Sequence, residues 1–455
     1  MSAVVQSSTG SSRPQPLAVG SGDRTVALDG NERIDLDTFF DHVRSVAAVL
    51  PAGRYAVNLC EDRYRFLVAF CAVALRGQVT LLPPSRAPAV VIDVLAQYAD
   101  SYSLGDGLLE AMPPGHWLLP EPLPSLAGEV PTEVPTIDER AIVAIGFTSG
   151  STGHPKPNPK SWAAFRASTG QNLAALESLW QGHAMANVVA TVPPQHMYGM
   201  ELSVVLPLLG PAGLHVGRPF FPQDVARVLE ETPEPRLLAT TPVHLRALLE
   251  SGVRLPPLCG IVSATAPLSQ ELAAAAEASF GCEVREVFGS TETCVIARRR
   301  TARETAWTPL PGVELHPRPD GTLVSAAHLP LPVALADLVE LEDDGRFHLR
   351  GRQSDLLEIA GKRASLGDLT RRLLAIRGVV DGVMLQLDEG DARGVARVAA
   401  LVVAPTLDEA AILAMLRESI DPVFLPRPLK RVAALPRSET GKLPRAELLK
   451  LLQGR

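Results

Sequence analysis

Four short stretches of this chain gather the residue types that handle phosphate and carboxylate oxygens. The first, TSGSTGHPK, sets Thr148, Ser149, Ser151 and Thr152 beside Gly150 and Gly153 and ends on Lys156. It follows the apolar, β-rich AIVAIGF and precedes SWAAFRASTGQNLAALESLW, which reads as a helix. A strand emptying into such a loop ahead of a helix can wrap backbone N–H groups and hydroxyls around phosphate oxygens. Glycine permits the close approach, and the lysine adds a point charge. The GxxxxGK[ST] loop of nucleotide triphosphatases is absent. Ser/Thr/Gly loops also serve as plain linkers, so this stretch alone leaves both readings open.

The second stretch, VFGSTETC, ends a strand on Phe288, Gly289, Ser290, Thr291 and Glu292. Thr291 and Glu292 can form a helix-capping box, but no apolar helical run follows them. The third, GRQSDLLEIAGKR, carries Arg352 and Arg363; the fourth, LPRSETGKLPRAEL, puts Lys442 in a glycine-flanked loop. Basic residues here are almost all arginine, the only lysines being Lys156, Lys160, Lys362, Lys430, Lys442 and Lys450. In isolation Lys442 reads as a solvated lysine, and Asp337, in ALADLVEL, as a turn or surface acid.

These stretches need a scaffold, and the rest of the sequence supplies an α/β one. The 455 residues exceed one ordinary core. A net charge of −7 argues against generic binding to nucleic acid or an anionic membrane surface. Cys60, Cys71, Cys259, Cys282 and Cys294 form no CxxC pair, which fits a reducing compartment and argues against a thiolate metal site. The first residues lack the apolar core of a signal peptide, and FLVAFCAVAL is too short to span a bilayer, so a cytoplasmic protein without membrane insertion is expected.

Strand candidates are RYAVNLC, QVTLL, AIVAIGF, ANVVATV, RLLATT, CGIVSAT and EVREVF, interleaved with helices over 36–50, 62–75, 88–98 and 268–280. This alternation predicts mixed or parallel sheets flanked by helices, with ligands at the strands' carboxyl ends. Hairpins follow about Pro309, and a small α+β unit follows Asp355. The expected division is a disordered arm over 1–22, a large domain over 23–353 and a lid domain over 354–455.

In this order and at these separations, the four stretches resemble the adenylate-forming superfamily of acyl-CoA synthetases, peptide-synthetase adenylation domains and luciferases, from about Asp35 to Leu451. The resemblance implies two half reactions: a carboxylate attacks the α-phosphate of Mg-ATP, releasing pyrophosphate, and a thiol then attacks the acyl-adenylate, releasing AMP. It implies that Thr148–Lys156 hold the β- and γ-phosphates, that Thr291 bonds the α-phosphate and that Glu292 ligates Mg²⁺. Phe288, with Gly289 and Ser290 following it, lies against adenine, opposite a wall of Ala264, Thr265, Ala266 and Pro267. Asp337 and Arg352 take the ribose, Arg363 joins the nucleotide site, and Lys442 bridges acid and α-phosphate. The small domain rotates between half reactions about Ser354, where the family usually carries Asp or Lys. The chain departs from the family at Pro157, usually glycine, and in SATAPL, usually glycine-rich.

PQHMYG replaces the family's aromatic-rich acyl-pocket stretch, with His196 as gate or as an ordinary core histidine. Amino-acid-activating members place an aspartate shortly after it; here only Glu201 follows, which disfavours an amino acid. His196, Met197, Tyr198, Gly199, Thr240, Thr241 and Ser263 mix small, aromatic and polar groups, which suits a compact aryl acid bearing a hydroxyl. A short aliphatic acid stays open. The chain looks most like compact ligases that load acids, hydroxybenzoates among them, onto acyl carrier proteins in aryl-polyene and xanthomonadin-type pigment pathways. An acyl- or aryl-CoA synthetase is the alternative; an idle AMP-binding relative or scaffold is the reading from another class. An acidic carrier needs a basic patch, for which Arg298 to Arg300, or Arg371, Arg372, Arg377, Arg393 and Arg397, are candidates.

Overall fold

The structure is a computed structural model that describes residues 13–30, 32–107, 112–113, 115–125, 133–148, 156–352, 356–359, 362–387, 397–437 and 443–454. Two large sheets organise the N-terminal domain. The first runs Lys156–Ser161, Ile142–Thr148, Val79–Leu82, Tyr55–Asn58, Ser101–Gly105 and His116–Leu118, edge to edge. Only the pairing of Lys156–Ser161 with Ile142–Thr148 is antiparallel. The second sheet has a parallel centre: Val284–Ser290, Gly260–Ser263, Arg236–Thr240, Ala186–Ala190, Ala212–His215 and Thr25–Asp29. Cys294–Arg299 and then Thr308–Pro309 extend one side of it antiparallel, and Glu32–Asp35 extends the other.

All seven strand candidates form, because central parallel strands are buried on both faces and read as unbroken apolar runs. Val189, Leu238, Ile261 and Val284 face a core shared with helices Pro222–Glu231, Pro242–Ser251 and Gln270–Phe280. One residue out of phase, Val188, Leu237, Ala239 and Val262 face a second core that contains Tyr198 and Leu202. Asp35 caps helix Leu36–Val49 by accepting from the Thr38 N–H at 2.9 Å, and Asp62 caps Arg63–Leu75 through the Arg65 N–H at 2.8 Å. Among the described residues no helix is long and apolar enough to cross a membrane.

Beyond these sheets come the expected hairpins, Glu314–Arg318 with Gly321–Ser325 and Asp337–Leu341 with Phe347–Arg352. The chain then forms the hairpin Leu356–Ile359 with Lys362–Ser365, helix Leu366–Leu374, helix Glu409–Ser419 and a sheet of Asp381–Gln386, Val398–Val403 and Leu429–Arg431. Among the described residues, the buried apolar side chains from Leu357 onward fall into two clusters that share no member with the earlier cores. Gln353 and Ser354, the expected boundary and hinge, lie outside the described residues.

Two expectations are corrected. Part of the arm assigned to 1–22 is folded: Pro14–Pro16 pairs antiparallel with Thr136–Asp138, the Trp162 indole N–H donates to the Pro16 carbonyl at 3.2 Å, and Leu17 is fully buried. The run from Leu17 to Val19 is too short to show a period, but burying it offsets the ordering cost. The TSGSTGHPK stretch is followed by a strand, Lys156–Ser161, and only then by helix Trp162–Leu176. Two prolines make KPNPKS unreadable as a strand. At the sheet edge Pro157 and Pro159 take the alternate positions whose missing N–H would face away from the neighbouring strand, so the ladder loses nothing.

Candidate active site

Thr148 pairs with Lys156 across the hairpin, so the candidate phosphate loop is a hairpin tip. Ser149, Gly150, Ser151, Thr152 and Gly153 lie outside the described residues, as do Ser354 and Lys442; Thr148 is half-buried and Lys156 exposed. Two residues before Thr148, a Cβ on Gly146 would stand 2.7 Å from Thr291 Cγ2 and 3.1 Å from Met197 Cε. Three segments therefore meet at this glycine: the hairpin, the Ser290–Cys294 turn and the short helix Met197–Met200.

In the turn, a Cβ on Gly289 would lie 2.0 Å from the Cys294 carbonyl oxygen, which only glycine avoids. The Ser290 N–H donates to Thr293 Oγ1 at 3.1 Å and the Thr293 N–H to Ser290 Oγ at 3.2 Å, so the Ser290 hydroxyl is used inside the turn. Thr291 and Glu292 sit half-buried at the tip. The Glu292 carboxylate takes no hydrogen bond or ion pair among the described residues.

Among the residues expected at the adenine, the half-buried Phe288 ring lies 5.5 Å from Trp307 and 6.2 Å from Phe347, centroid to centroid. Ala264 is buried where it follows strand Gly260–Ser263; Ala266 is half-buried. Between them Thr265 has φ +80°, a left-handed conformation costly for a β-branched residue. Thr265→Gly is therefore expected to stabilise the fold by about 1 kcal/mol, the relief exceeding glycine's extra unfolded entropy. A lower denaturation midpoint would show that no strain is held there. Asp337 and Arg352 are cross-strand partners, and the Asp337 carbonyl accepts from the Thr322 hydroxyl at 2.7 Å. Arg363 pairs with Glu358 in the following hairpin. The structure thus joins Asp337 to Arg352 and leaves Arg363 on a separate hairpin.

The acyl-pocket candidates divide by what their polar atoms do. The Tyr198 hydroxyl donates to the Val262 carbonyl at 2.8 Å, and Thr241 caps helix Pro242–Ser251 with its hydroxyl 2.9 Å from His244 Nδ1. Both hydroxyls are occupied, so these residues shape walls. Gly199 is required because a Cβ there would fall 2.0 Å from the Pro193 carbonyl oxygen, and His196 occupies the N-cap position of the short helix Met197–Met200 without a side-chain capping bond. Thr240 and Ser263 are register partners at their strands' carboxyl ends; Thr240 Oγ1 bonds Thr191 Oγ1 at 2.9 Å. Among the described residues, Ser263 Oγ and Thr265 Oγ1 are buried with no hydrogen-bond partner. Thr191 and His244 were missed from sequence; the signals were a hydroxyl ending the ANVVA strand and a histidine three residues after a capping threonine.

Glu201 is fully buried within a π-helical turn, Glu201–Val205. Its carboxylate accepts from the Ser168 hydroxyl at 2.5 Å, Asn172 Nδ2 at 3.0 Å and the Val295 N–H at 3.1 Å. It is thus spent on the protein and cannot pair with a substrate ammonium. Burial raises all five thiols, Cys294 to about 12, so none supplies a thiolate nucleophile. Within the candidate basic patches, Arg298 pairs with Glu304, Arg299 with Glu286, Arg300 with Glu277, and both Arg371 and Arg372 with Asp368, while Arg377 is exposed. Arg393 lies outside the described residues.

A family model described as AMP-binding enzyme matches residues 18–344. The 4-coumarate--CoA ligase of Halorhodospira halophila is 30% identical over 309 residues, 65% of this chain and 73% of that protein. The protein of the same name from Rhodobacter capsulatus is 32% identical over 303 residues, 66% of this chain and 74% of its own length. The solved o-succinylbenzoate CoA synthetase of Bacillus subtilis, in complex with its acyl-adenylate intermediate OSB-AMP, aligns with a TM-score of 0.80 at 18% identity, covering 96% of this chain and 98% of that one.

Proposed function

The chain belongs to the AMP-binding enzyme family, and from that premise we propose how its own residues divide the work. It is an acid–thiol ligase that activates a carboxylic acid with ATP to an acyl-adenylate. In the first half reaction an acid oxygen forms a bond to the α-phosphorus and pyrophosphate leaves. In the second a thiol sulfur attacks the acyl carbon and AMP leaves. The hairpin tip Thr148–Lys156 grips the leaving pyrophosphate, Thr291 bonds the α-phosphate, and Lys442 bridges it to the acid. Asp337 and Arg352 share the ribose hydroxyls, while Phe288 and Ala264–Ala266 flank the purine. The observation that carries this reading is the meeting at Gly146, which brings the hairpin, Thr291 and Met197 of the acyl pocket within van der Waals contact. Acid and phosphate must meet in such a space for in-line attack.

Mg²⁺ fits the donor set. Glu292 is a half-buried carboxylate with open lone pairs, and among the described residues no group of three His, Cys, Asp or Glu forms a closed site. A hard cation there takes one carboxylate and phosphate oxygens, neutralising charge on the phosphates. Glu292→Gln should raise the Mg²⁺ concentration needed for half-maximal pyrophosphate release; an unchanged requirement would remove Glu292 as ligand.

The favoured acid is a compact aryl acid bearing a hydroxyl, hydroxybenzoate-like. The buried Ser263 hydroxyl, unpartnered among the described residues, supports a substrate that brings its own polar group. 4-Coumarate, in the relatives' names, is itself a phenolic acid. The thiol is that of phosphopantetheine. The PKPNPKSW and PQHMYGMELSVVLPL runs favour an acyl carrier protein as its bearer; the relatives' names favour free CoA as the second reading. Pyrophosphate release is to be screened over hydroxybenzoates, benzoate and fatty acids, then thioester formation with CoA and with holo-carrier protein. Release with fatty acids alone overturns the aryl reading, and thioester with CoA alone overturns the carrier.

A further inference from the structure

The Ser290–Cys294 turn is fastened from outside by three buried side chains that arrive on three different elements. Lys160 Nζ donates to the Glu292 carbonyl at 2.7 Å. His328 Nε2–H donates to the Thr293 carbonyl at 2.6 Å; burial holds this imidazole below its ordinary pKa, so it stays neutral with one donor. The Glu201 carboxylate accepts the Val295 N–H. Cys294, in the same run, has a left-handed φ of +58°, so the backbone is held where it would not rest unaided.

Lys160 differs from the other two in where it comes from. On strand Lys156–Ser161, Lys156, Asn158 and Lys160 share one face, and their burial rises from exposed through half-buried to 4% exposed. Lys156 stands at the mouth of the hairpin and Lys160 two pleats deeper. Among the described residues no carboxylate lies within salt-bridge distance of the Lys160 ammonium, although the buried Glu201 carboxylate and Cys294 thiol lie close by; its hydrogen bond at 2.7 Å goes to a main-chain carbonyl. A lysine is costly to bury for packing alone.

We propose that Lys160 is a positioning residue for adenylation, tying the strand that returns from the phosphate hairpin to the main chain of Glu292. The pyrophosphate grip and the Thr291–Glu292 tip then keep one fixed spacing. The inference rests on the reading that these two segments hold the triphosphate. A charged donor on a carbonyl is among the stronger hydrogen bonds, and losing it frees the Glu292 backbone rather than any group that touches substrate.

The test uses the full-length enzyme with Lys160→Met, which keeps the stem length and removes the donor. Adenylation kcat should fall by about 10²-fold, the cost of a misplacement near 1 Å. KM for the acid should stay within about twofold, because the acyl pocket is untouched. ATP affinity in EDTA, read by equilibrium dialysis, should weaken about tenfold, the scale of one charged hydrogen bond. Thioester formation from supplied acyl-adenylate should persist, and Lys160→Arg should restore part of the adenylation rate. If Lys160→Met does not fold, Lys160→Gln is read in the same way. Unchanged adenylation, or equal loss in both half reactions, overturns the positioning role. Thr291→Ala and Glu292→Gln are run alongside. If both leave adenylation intact, the reading of the turn itself fails and takes Lys160 with it. If they impair it while Lys160→Met does not, only the positioning role falls.

Discussion

Replacing Gly289 with alanine is expected to slow adenylate formation by at least ~10²-fold. The new Cβ would lie 2.0 Å from the Cys294 carbonyl oxygen, 2.7 Å from its carbon and 2.8 Å from Val295 Cα. These are backbone atoms of the paired strand, so no side chain can swing aside. The turn must move instead, and Lys160, His328 and Glu201 hold it in place. The clash should cost more than about 3 kcal/mol of stability, or displace Thr291 and Glu292 by a distance that costs at least ~10²-fold in rate. Gly281→Ala is the control: its φ is +67° but a Cβ would meet nothing within 4 Å, so it should lose only about 1 kcal/mol and keep its activity. ATP–pyrophosphate exchange with a melting curve for each variant decides. Near-normal exchange in Gly289→Ala would mean that the turn does not depend on this close approach.

What the sequence made legible follows from which interactions are local. The buried parallel strands and the Asp35 and Asp62 caps are local signals and were readable. The cross-strand pairing of Asp337 with Arg352 was anticipated only as a shared role, because register is set by the hairpin rather than by either residue. KPNPKS was not readable, since proline is tolerated in a strand only at an edge, and edge position is decided by the rest of the sheet. The same limit hides Lys160: on paper it is one more lysine after a proline, and only the fold turns it inward. Tyr198 and Thr241 show the converse. Their hydroxyls suggest contact with substrate, but the structure spends them on Val262 and on a helix cap, leaving Ser263 as the acyl-pocket hydroxyl without a partner among the described residues. The arginine runs looked like a surface for an acidic partner, but at Arg298, Arg299 and Arg300 nearby glutamates take up the charge. A basic run in sequence says nothing about its acidic neighbours in space.

Lys442→Ala should separate the two half reactions. When two anions must meet, the carboxylate and the α-phosphate, the barrier is mainly charge placed on phosphate oxygens, and one preorganised cation removed there costs about 10²–10³-fold in rate. Lys156 does not substitute for it, because it sits at the base of the hairpin and is assigned to the group that leaves. Thioester formation has no such requirement: the adenylate is already formed, its phosphate carries one negative charge, and the thiol attacks the acyl carbon rather than phosphorus. A Lys442→Ala enzyme given acyl-adenylate and thiol should therefore run near the native rate, while the same enzyme given acid and ATP should release pyrophosphate about 10²–10³-fold more slowly. This also tests the assignment of work within the site. If Gly289→Ala, which disturbs Thr291 and Glu292, blocks adenylation as Lys442→Ala does, and the double variant loses little more than either alone, then turn and lysine act on the same phosphate as one unit. Losses that multiply would mean that they contribute independently to the transition state.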